Sequence, residues 1–234
     1  MSLVISAIAS DGIVMMGDGL TTRVPLDGKG ECVSGCEETD KIFSFLDYYA
    51  VGNTGRLKIY NSGISQCLFD LEQSTADGKI SAPHDLNAIP EFLRMNFVPL
   101  IGDEYEQHKA LYGTSLLPFL LNFHVAGYQE GVPTIASFNI VDKYVHYDRG
   151  GGISVLGPPS TIAAVLPWDK KKPIGAELSQ QPLQNAIDFV YDLMQQAIQY
   201  ESQSERVPTI GGVITIGTVI PETGFEWAAT SYKR

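Results

Sequence analysis

Residues 3–19 read LVISAIASDGIVMMGDG, and this stretch decides the fold. Two apolar runs, Leu3–Ala9 and Ile13–Met16, flank the turn tripeptide Ser10-Asp11-Gly12, which is typical of a β-hairpin. Because both faces of each run are apolar, both strands must lie between other layers of the protein. The sequence therefore predicts a buried antiparallel hairpin whose first strand begins within the first five residues.

Strands and helices follow this hairpin in segregated groups. Strand-like patterns are expected at 41–51, 119–147 and 213–228. Helical periodicity is expected at 53–71, 85–97, 158–166 and 183–198. Residues 19–39 and 167–181 carry Gly, Pro and charge without an apolar period, so they are predicted as long loops. Because βαβ alternation is missing, the pattern favours an α+β fold with antiparallel sheets and helices layered outside.

Length and charge narrow the class of protein. With 234 residues, 44% of them hydrophobic, the chain is interpreted as one domain spanning residues 1–234. Its net charge of −11 disfavours nucleic acid and anionic membranes as partners, since phosphate binding needs clustered Lys and Arg. No apolar run approaches the roughly 20 residues of a membrane span, and no signal-like segment opens the chain. A soluble, cytoplasmic protein is predicted.

The cysteines do not indicate a disulfide framework or a metal site. The chain has three, Cys32, Cys36 and Cys67, which cannot all pair with one another. A structural zinc site wants four soft ligands, and no second Cys pair or His pair stands at ligand spacing. We therefore expect neither a metal nor a cofactor.

Three short motifs carry a family resemblance. Val14–Thr22 contains the Gly-Asp-Gly segment, Asp40–Phe43 opens the next strand, and Ala50–Gly55 is a small-residue stretch before a helix. Together they resemble the proteasome β-type N-terminal nucleophile (Ntn) hydrolases, most of all the bacterial heat-shock-locus V peptidases. The resemblance extends over nearly the whole chain, strongly at 3–60 and loosely afterwards.

The resemblance implies a fold and a set of site residues. The fold is a four-layer αββα sandwich, in which the first residue of the processed chain acts as nucleophile and base. Ser2 stands in the nucleophile's register, Asp18 and Lys41 take the positions of the family's active-site carboxylate and lysine, and the backbone N–H of Tyr49 aligns near the oxyanion donor. The substrate would be a peptide or small amide, hydrolysed in a ring-like homo-oligomer. An ATPase partner is left open.

The chemistry of such a site is reasonable. An α-amino group has an ordinary pKa of about 8, close enough to neutral to accept a proton from a neighbouring hydroxyl. The ammonium of Lys41 would lower that pKa and favour the neutral amine. Asp18 is expected to hold Lys41 charged and oriented. We also expect the charged groups of Asp18 and Lys41 to lie within about 6 Å of each other in a partly buried cleft.

Two alternatives for the N-terminus remain. Removal of Met1 would expose the amino group of Ser2, whereas Met-Ser-Leu is also a common cloning leader, in which case the native chain begins without this nucleophile. The family's serine after a glycine is replaced by Pro158, and the family's Asp and Ser near the end of the penultimate helix fall only approximately in 201–205.

Three functions are therefore compared. The first is an Ntn peptidase or amidase, and the second is a non-catalytic relative that keeps the fold and the assembly. An amidase resembling penicillin acylase or bile-acid hydrolase is the third. It is weaker, because this chain has no Cys before residue 32. His124, in an apolar strand, is interpreted as a core histidine with satisfied hydrogen bonds.

Overall fold

The computed structural model describes residues 2–23, 33–55, 58–59, 62–112, 121–203 and 209–228. The strands are β1 (Val4–Ile8), β2 (Ile13–Gly17), β3 (Leu20–Arg23), β4 (Val33–Glu38), β5 (Ile42–Phe45), β6 (Tyr49–Gly55), β7 (Lys58–Ile59), β8 (Ser62–Gly63), β9 (Leu121–Gln129), β10 (Val132–Asn139), β11 (Val145–Arg149), β12 (Ile153–Leu156), β13 (Thr215–Ile220) and β14 (Gly224–Trp227). The helices are α1 (Ile64–Ala76), α2 (Ile89–Tyr112), α3 (Pro159–Val165), α4 (Trp168–Leu178) and α5 (Leu183–Ser202), with a short 3₁₀ turn at Leu86–Ala88.

Ten of the described strands form two antiparallel five-stranded sheets, and β3–β4 and β7–β8 each form a separate two-stranded sheet. The first has the order β12-β1-β2-β13-β14 and the second has the order β11-β10-β9-β6-β5. The chain is thus a mixed α/β protein, in agreement with the predicted α+β class. The opening hairpin is confirmed: β1 begins at Val4, and Val4 pairs with Gly17 at the open end of the β1–β2 hairpin. Every residue of both strands is buried.

Three groups of buried side chains form the core. One group joins β1 and β2 to α3, α4 and α5, and contains Leu3, Met16 and Met194. A second group joins β5, β6, β9 and β10 to α1 and α2, and contains Phe45, Phe97 and Phe123. The third group contains side chains from both sheets. Its buried members are Val4, Ile8, Ile13, Met15, Ile42, Ala50, Ala126, Ile135 and Val219. Alternating side chains of β1 and β2 therefore serve two different cores.

His124 connects the two sheets. Its Nδ1 lies 3.1 Å from Ser6 Oγ on β1, and its Nε2 lies 3.2 Å from Ser154 Oγ on β12. Ser154 also bonds Ser137 of β10 at 2.9 Å. The interpretation of a core histidine with satisfied hydrogen bonds is confirmed. Burial lowers the pKa of His124 to about 3, and the positive charges of Lys171 and His146 act in the same direction.

Three predicted elements were wrong. Within 19–39, the described residues form the hairpin β3–β4 rather than a loop. The segment 167–181 contains α4, in which Lys170 and Lys172 are exposed and Leu178 joins the core. The helix expected from Asn53 begins only at Ile64, because Asn53 still belongs to β6.

Candidate active site

Asp18 and Lys41 form a buried ion pair between the two sheets. Asp18 follows the last residue of β2, and Lys41 precedes β5. Lys41 Nζ lies 2.7 Å from Asp18 Oδ1, and both side chains have 0% exposure. A Cβ atom on Gly17 would lie 3.2 Å from Lys41 Cβ, so glycine lets the two strands approach here. The predicted proximity is confirmed, but the pair is fully buried rather than in a partly open cleft.

The Asp18 carboxylate also accepts two backbone hydrogen bonds. Leu3 N–H donates to Oδ1 at 2.7 Å, and Gly211 N–H donates to Oδ2 at 3.0 Å. Burial raises the pKa of Asp18 above its ordinary value, while Lys41 and the two amides oppose this shift. The carboxylate thus joins the start of the chain, the end of β2 and a segment near residue 211.

The ammonium group of Lys41 donates twice. Besides Asp18, it binds the carbonyl oxygen of Leu20 at 2.6 Å. Burial lowers the pKa of Lys41, and the attraction of Asp18 opposes this only in part. The expectation that Asp18 holds Lys41 charged therefore neglected desolvation, which has the larger effect on the pKa of Lys41.

Residues 209–213, here called the strap, complete the surroundings of the pair. Gly211 N–H binds Asp18, its carbonyl accepts from Leu20 N–H at 2.8 Å, and the carbonyl of Leu20 binds Lys41. These contacts form a closed ring through Asp18, Gly211, Leu20 and Lys41. Sequence reasoning missed the strap because its contribution is made by backbone atoms. The one feature of the sequence that could have indicated this close backbone contact is the Gly211-Gly212 pair.

Glycine is needed where the strap meets the residues after β2. A Cβ atom on Gly19 would lie 2.7 Å from the carbonyl oxygen of Val213. Gly212 has φ +74°, and a Cβ there would lie 3.0 Å from backbone atoms of Gly19 and Leu20. The close backbone contact that holds the ring together therefore depends on both glycines.

The substitution Gly212→Ala is expected to lower the free energy of unfolding by about 3 kcal/mol, from the positive φ and the backbone crowding together. Gly78→Ala is the matched control. Gly78 has φ +70°, but a Cβ there meets nothing within 4 Å. Gly78→Ala should therefore lower the free energy of unfolding by about 1 kcal/mol, which is the cost of the positive φ without crowding. Urea denaturation of both variants measures the difference, and equal losses would contradict the proposed close contact.

Ser2 lies beside the ion pair. It is 2% exposed, and its peptide link to Leu3 supplies the N–H that binds Asp18. On the other side, the carbonyl oxygen of Ser2 lies 3.2 Å from the position of a Cβ on Gly157. Ser2 therefore directly precedes the residue whose amide binds the Asp18–Lys41 pair.

The structure does not bring Tyr49 to this group. Tyr49 pairs with Phe45, four residues along β5 from Lys41, which corresponds to about 13 Å. The register instead places Asn53 beside Lys41, and Asn53 N–H donates to the carbonyl of Lys41 at 2.8 Å. The backbone N–H of Tyr49 is therefore too far from the pair to serve the same reacting atom.

The positions at which the chain departs from the family pattern can also be located. Pro158 stands immediately before α3, next to Gly157. Ser202 is exposed and donates to the carbonyl of Gln199, so it does not face the pair, and Ser204 lies outside the described residues. Glu201, by contrast, is buried at the end of α5.

The described part of the chain contains no group of three or more His, Cys, Asp or Glu side chains placed to hold a metal ion. Cys32 lies outside the described residues, and Cys67 is a buried free thiol. Across the described helices, none is long and apolar enough to cross a membrane. No protein-family model matches the sequence, and the comparison with curated proteins finds no significant match.

Proposed function

We propose that the protein is a proteasome-like Ntn hydrolase that cleaves peptide or amide bonds with Ser2 as its N-terminal nucleophile. The proposed fold is the four-layer αββα sandwich of that class. Its support is the arrangement of the cores, because helices pack on one side of each sheet and a third core contains side chains of both sheets. The family membership rests on this arrangement and on the motifs around Asp18 and Lys41.

One observation carries the proposed activity: the peptide group between Ser2 and Leu3 is bound to the same oxygen of Asp18 that pairs with Lys41. Residue 2 thereby directly precedes an amide that binds the carboxylate partner of the buried Lys41 ammonium group. An internal serine would need a separate base, and a free α-amino group on Ser2 would supply one.

The proposed reaction has two steps, acylation of Ser2 and hydrolysis of the resulting ester. The hydroxyl oxygen of Ser2 attacks the substrate carbonyl while the α-amine accepts the hydroxyl proton. The proton then passes to the leaving amine, and an ester on Ser2 remains. Water, deprotonated by the same α-amine, attacks the ester carbonyl; the bond to the Ser2 oxygen breaks, the acid is released, and the proton passes from the α-ammonium back to the Ser2 oxygen. Lys41 stays protonated throughout, and its positive charge favours the neutral, proton-accepting form of the α-amine.

A second candidate function is a non-catalytic relative that keeps the fold. It is favoured by the full burial of the Asp18–Lys41 pair and by the two backbone amides already bound to Asp18. Pro158 offers neither a hydroxyl nor an N–H. In this case the pair stabilises the start of β1 and performs no chemistry.

The experiment compares two forms of the protein whose first residues are verified by intact mass. The Ser2-first form should hydrolyse fluorogenic peptides, and the Met1-first form should not, because the nitrogen of Ser2 is then an amide that cannot accept a proton near neutral pH. Thr at position 2 should keep the activity, and Ser2→Ala should abolish it. Turnover by the Met1-first form that survives Ser2→Ala would contradict the proposal, and inactivity of a folded Ser2-first form would favour the non-catalytic relative.

A ring-like homo-oligomer is the second part of the proposal. Exposed apolar side chains on α1 and α2, among them Phe69 and Met95, offer surface for contacts between copies. Light scattering at micromolar concentration should give a mass several times 25.5 kDa. A monomer mass would contradict the ring and proteolysis within a closed compartment.

A further inference from the structure

A second buried carboxylate lies at the end of α5. Glu201 is 8% exposed, and its Oε1 accepts a hydrogen bond from Thr161 Oγ1 of α3. Its Oε2 accepts from both Thr209 N–H, at 3.2 Å, and Thr209 Oγ1, at 3.0 Å. One carboxylate thus joins α3, α5 and the first residue of the strap. The proposed reaction assigns it no step.

The strap leads from this carboxylate directly to the ion pair. Ile210 is 1% exposed and packs in the core with Met194. The next residue, Gly211, donates its N–H to Asp18 and accepts from Leu20. Only one residue, Ile210, separates the threonine held by Glu201 from the glycine that holds Asp18. Since Thr209 and Gly211 are joined through this single residue, we expect a displacement of the Thr209 backbone to change the orientation of the Gly211 amide.

We propose that Glu201 and Thr209 are positioning residues that act on Asp18 through the backbone of Gly211. Glu201 fixes Thr209, the strap transmits that position, and the Gly211 amide then points at Asp18 Oδ2. The inference deepens the proposed function, since it concerns the same ion pair, but its consequence for Asp18 does not depend on hydrolysis.

The physical consequence is a change in the pKa of Asp18. Hydrogen bonds donated to a carboxylate favour its ionised form and lower its pKa. The Gly211 amide opposes the rise that burial causes. A strap released from Glu201 weakens this hydrogen bond, so the pKa of Asp18 should rise, although neither Glu201 nor Thr209 is seen to bond Asp18 directly.

The test is an NMR titration of the full chain with ¹³C-labelled aspartate and ¹⁵N-labelled glycine. The signal of Asp18 is assigned by its loss in Asp18→Asn. In Thr209→Val, the titration midpoint of Asp18 should move upward and the Gly211 amide proton should move upfield, because its hydrogen bond is weaker. Thr209→Ser keeps the hydroxyl and should restore both signals.

Two further variants make the result decisive. Glu201→Gln has one acceptor oxygen instead of two and should shift both signals in the same direction, which keeps the test valid if Thr209→Val does not fold. Ser202→Ala is the matched control, because Ser202 is exposed and donates to the carbonyl of Gln199 in its own helix. Unchanged signals in a folded Thr209→Val variant, or equal shifts in Ser202→Ala, would overturn the proposal. The absence of peptide turnover would contradict the proposed hydrolase and leave these signals unaffected.

Discussion

Replacement of Lys41 by Met is expected to lower the free energy of unfolding by about 3–5 kcal/mol at pH 7, because it leaves the Asp18 carboxylate buried without its countercharge. Methionine fills a similar volume, so loss of packing contributes little. Urea denaturation of wild type and Lys41→Met measures the difference. A loss below about 1 kcal/mol would contradict the buried ion pair.

The pH dependence of the unfolding free energy provides a second test with the Lys41→Met variant. Without Lys41, the pKa of Asp18 in the folded state rises further, so the folded state binds the proton more strongly than the unfolded state. The difference in unfolding free energy between wild type and Lys41→Met should therefore be largest near neutral pH and should become smaller as the pH falls. The double variant Asp18→Asn/Lys41→Met should lose less unfolding free energy than the two single variants together, because it leaves no unpaired charge in the core.

The second large effect is an acid-dependent loss of stability caused by His124. Its pKa is about 3 in the folded protein, against about 6.5 when unfolded. Folding therefore favours the neutral imidazole. The protein keeps its full stability above about pH 6.5 and loses stability as the pH falls toward 3, because the unfolded state binds the proton more strongly. Between pH 6.5 and 4.5, this protonation should lower the free energy of unfolding by about 2 kcal/mol.

The measurement compares unfolding free energies across that range in wild type, His124→Gln and His84→Gln. His124→Gln should be less stable at pH 7, where it disturbs the contacts to Ser6 and Ser154, but its stability should depend less on pH. His84, whose side chain is 83% exposed, is the control and should leave the pH dependence unchanged. Parallel pH profiles for wild type and His124→Gln would show that the inter-sheet histidine does not cause the acid sensitivity.

The opening hairpin and the Asp18–Lys41 pair could be predicted from the sequence because their signals are local. Residues 3–16 are apolar on both faces, and this pattern suits only strands covered on both sides. The motifs around Asp18 and Lys41 indicated the pair through a family resemblance. The extent of burial could not be predicted, since it depends on how closely Gly17 lets the two sheets approach.

Contacts made by backbone atoms across long stretches of sequence could not be predicted. Gly211 lies 193 positions from Asp18 and contributes an amide that every residue except proline possesses. Strand register was a second difficulty, because Tyr49 and Asn53 belong to the same strand and only the β5–β6 pairing shows that Asn53 stands beside Lys41. Helix α4 was missed because three consecutive lysines and Pro173 obscure its apolar side.

The most direct test of the central proposal is covalent trapping on Ser2. The Ser2-first protein is incubated with an activated ester, quenched in acid, and analysed by intact mass and peptide mapping. The proposal predicts one acyl group on the hydroxyl of Ser2, lost slowly to water at neutral pH. The acyl group should be missing in the Met1-first form and in Ser2→Ala. An acyl group on another residue, or none on a folded Ser2-first protein, would contradict Ser2 as the nucleophile.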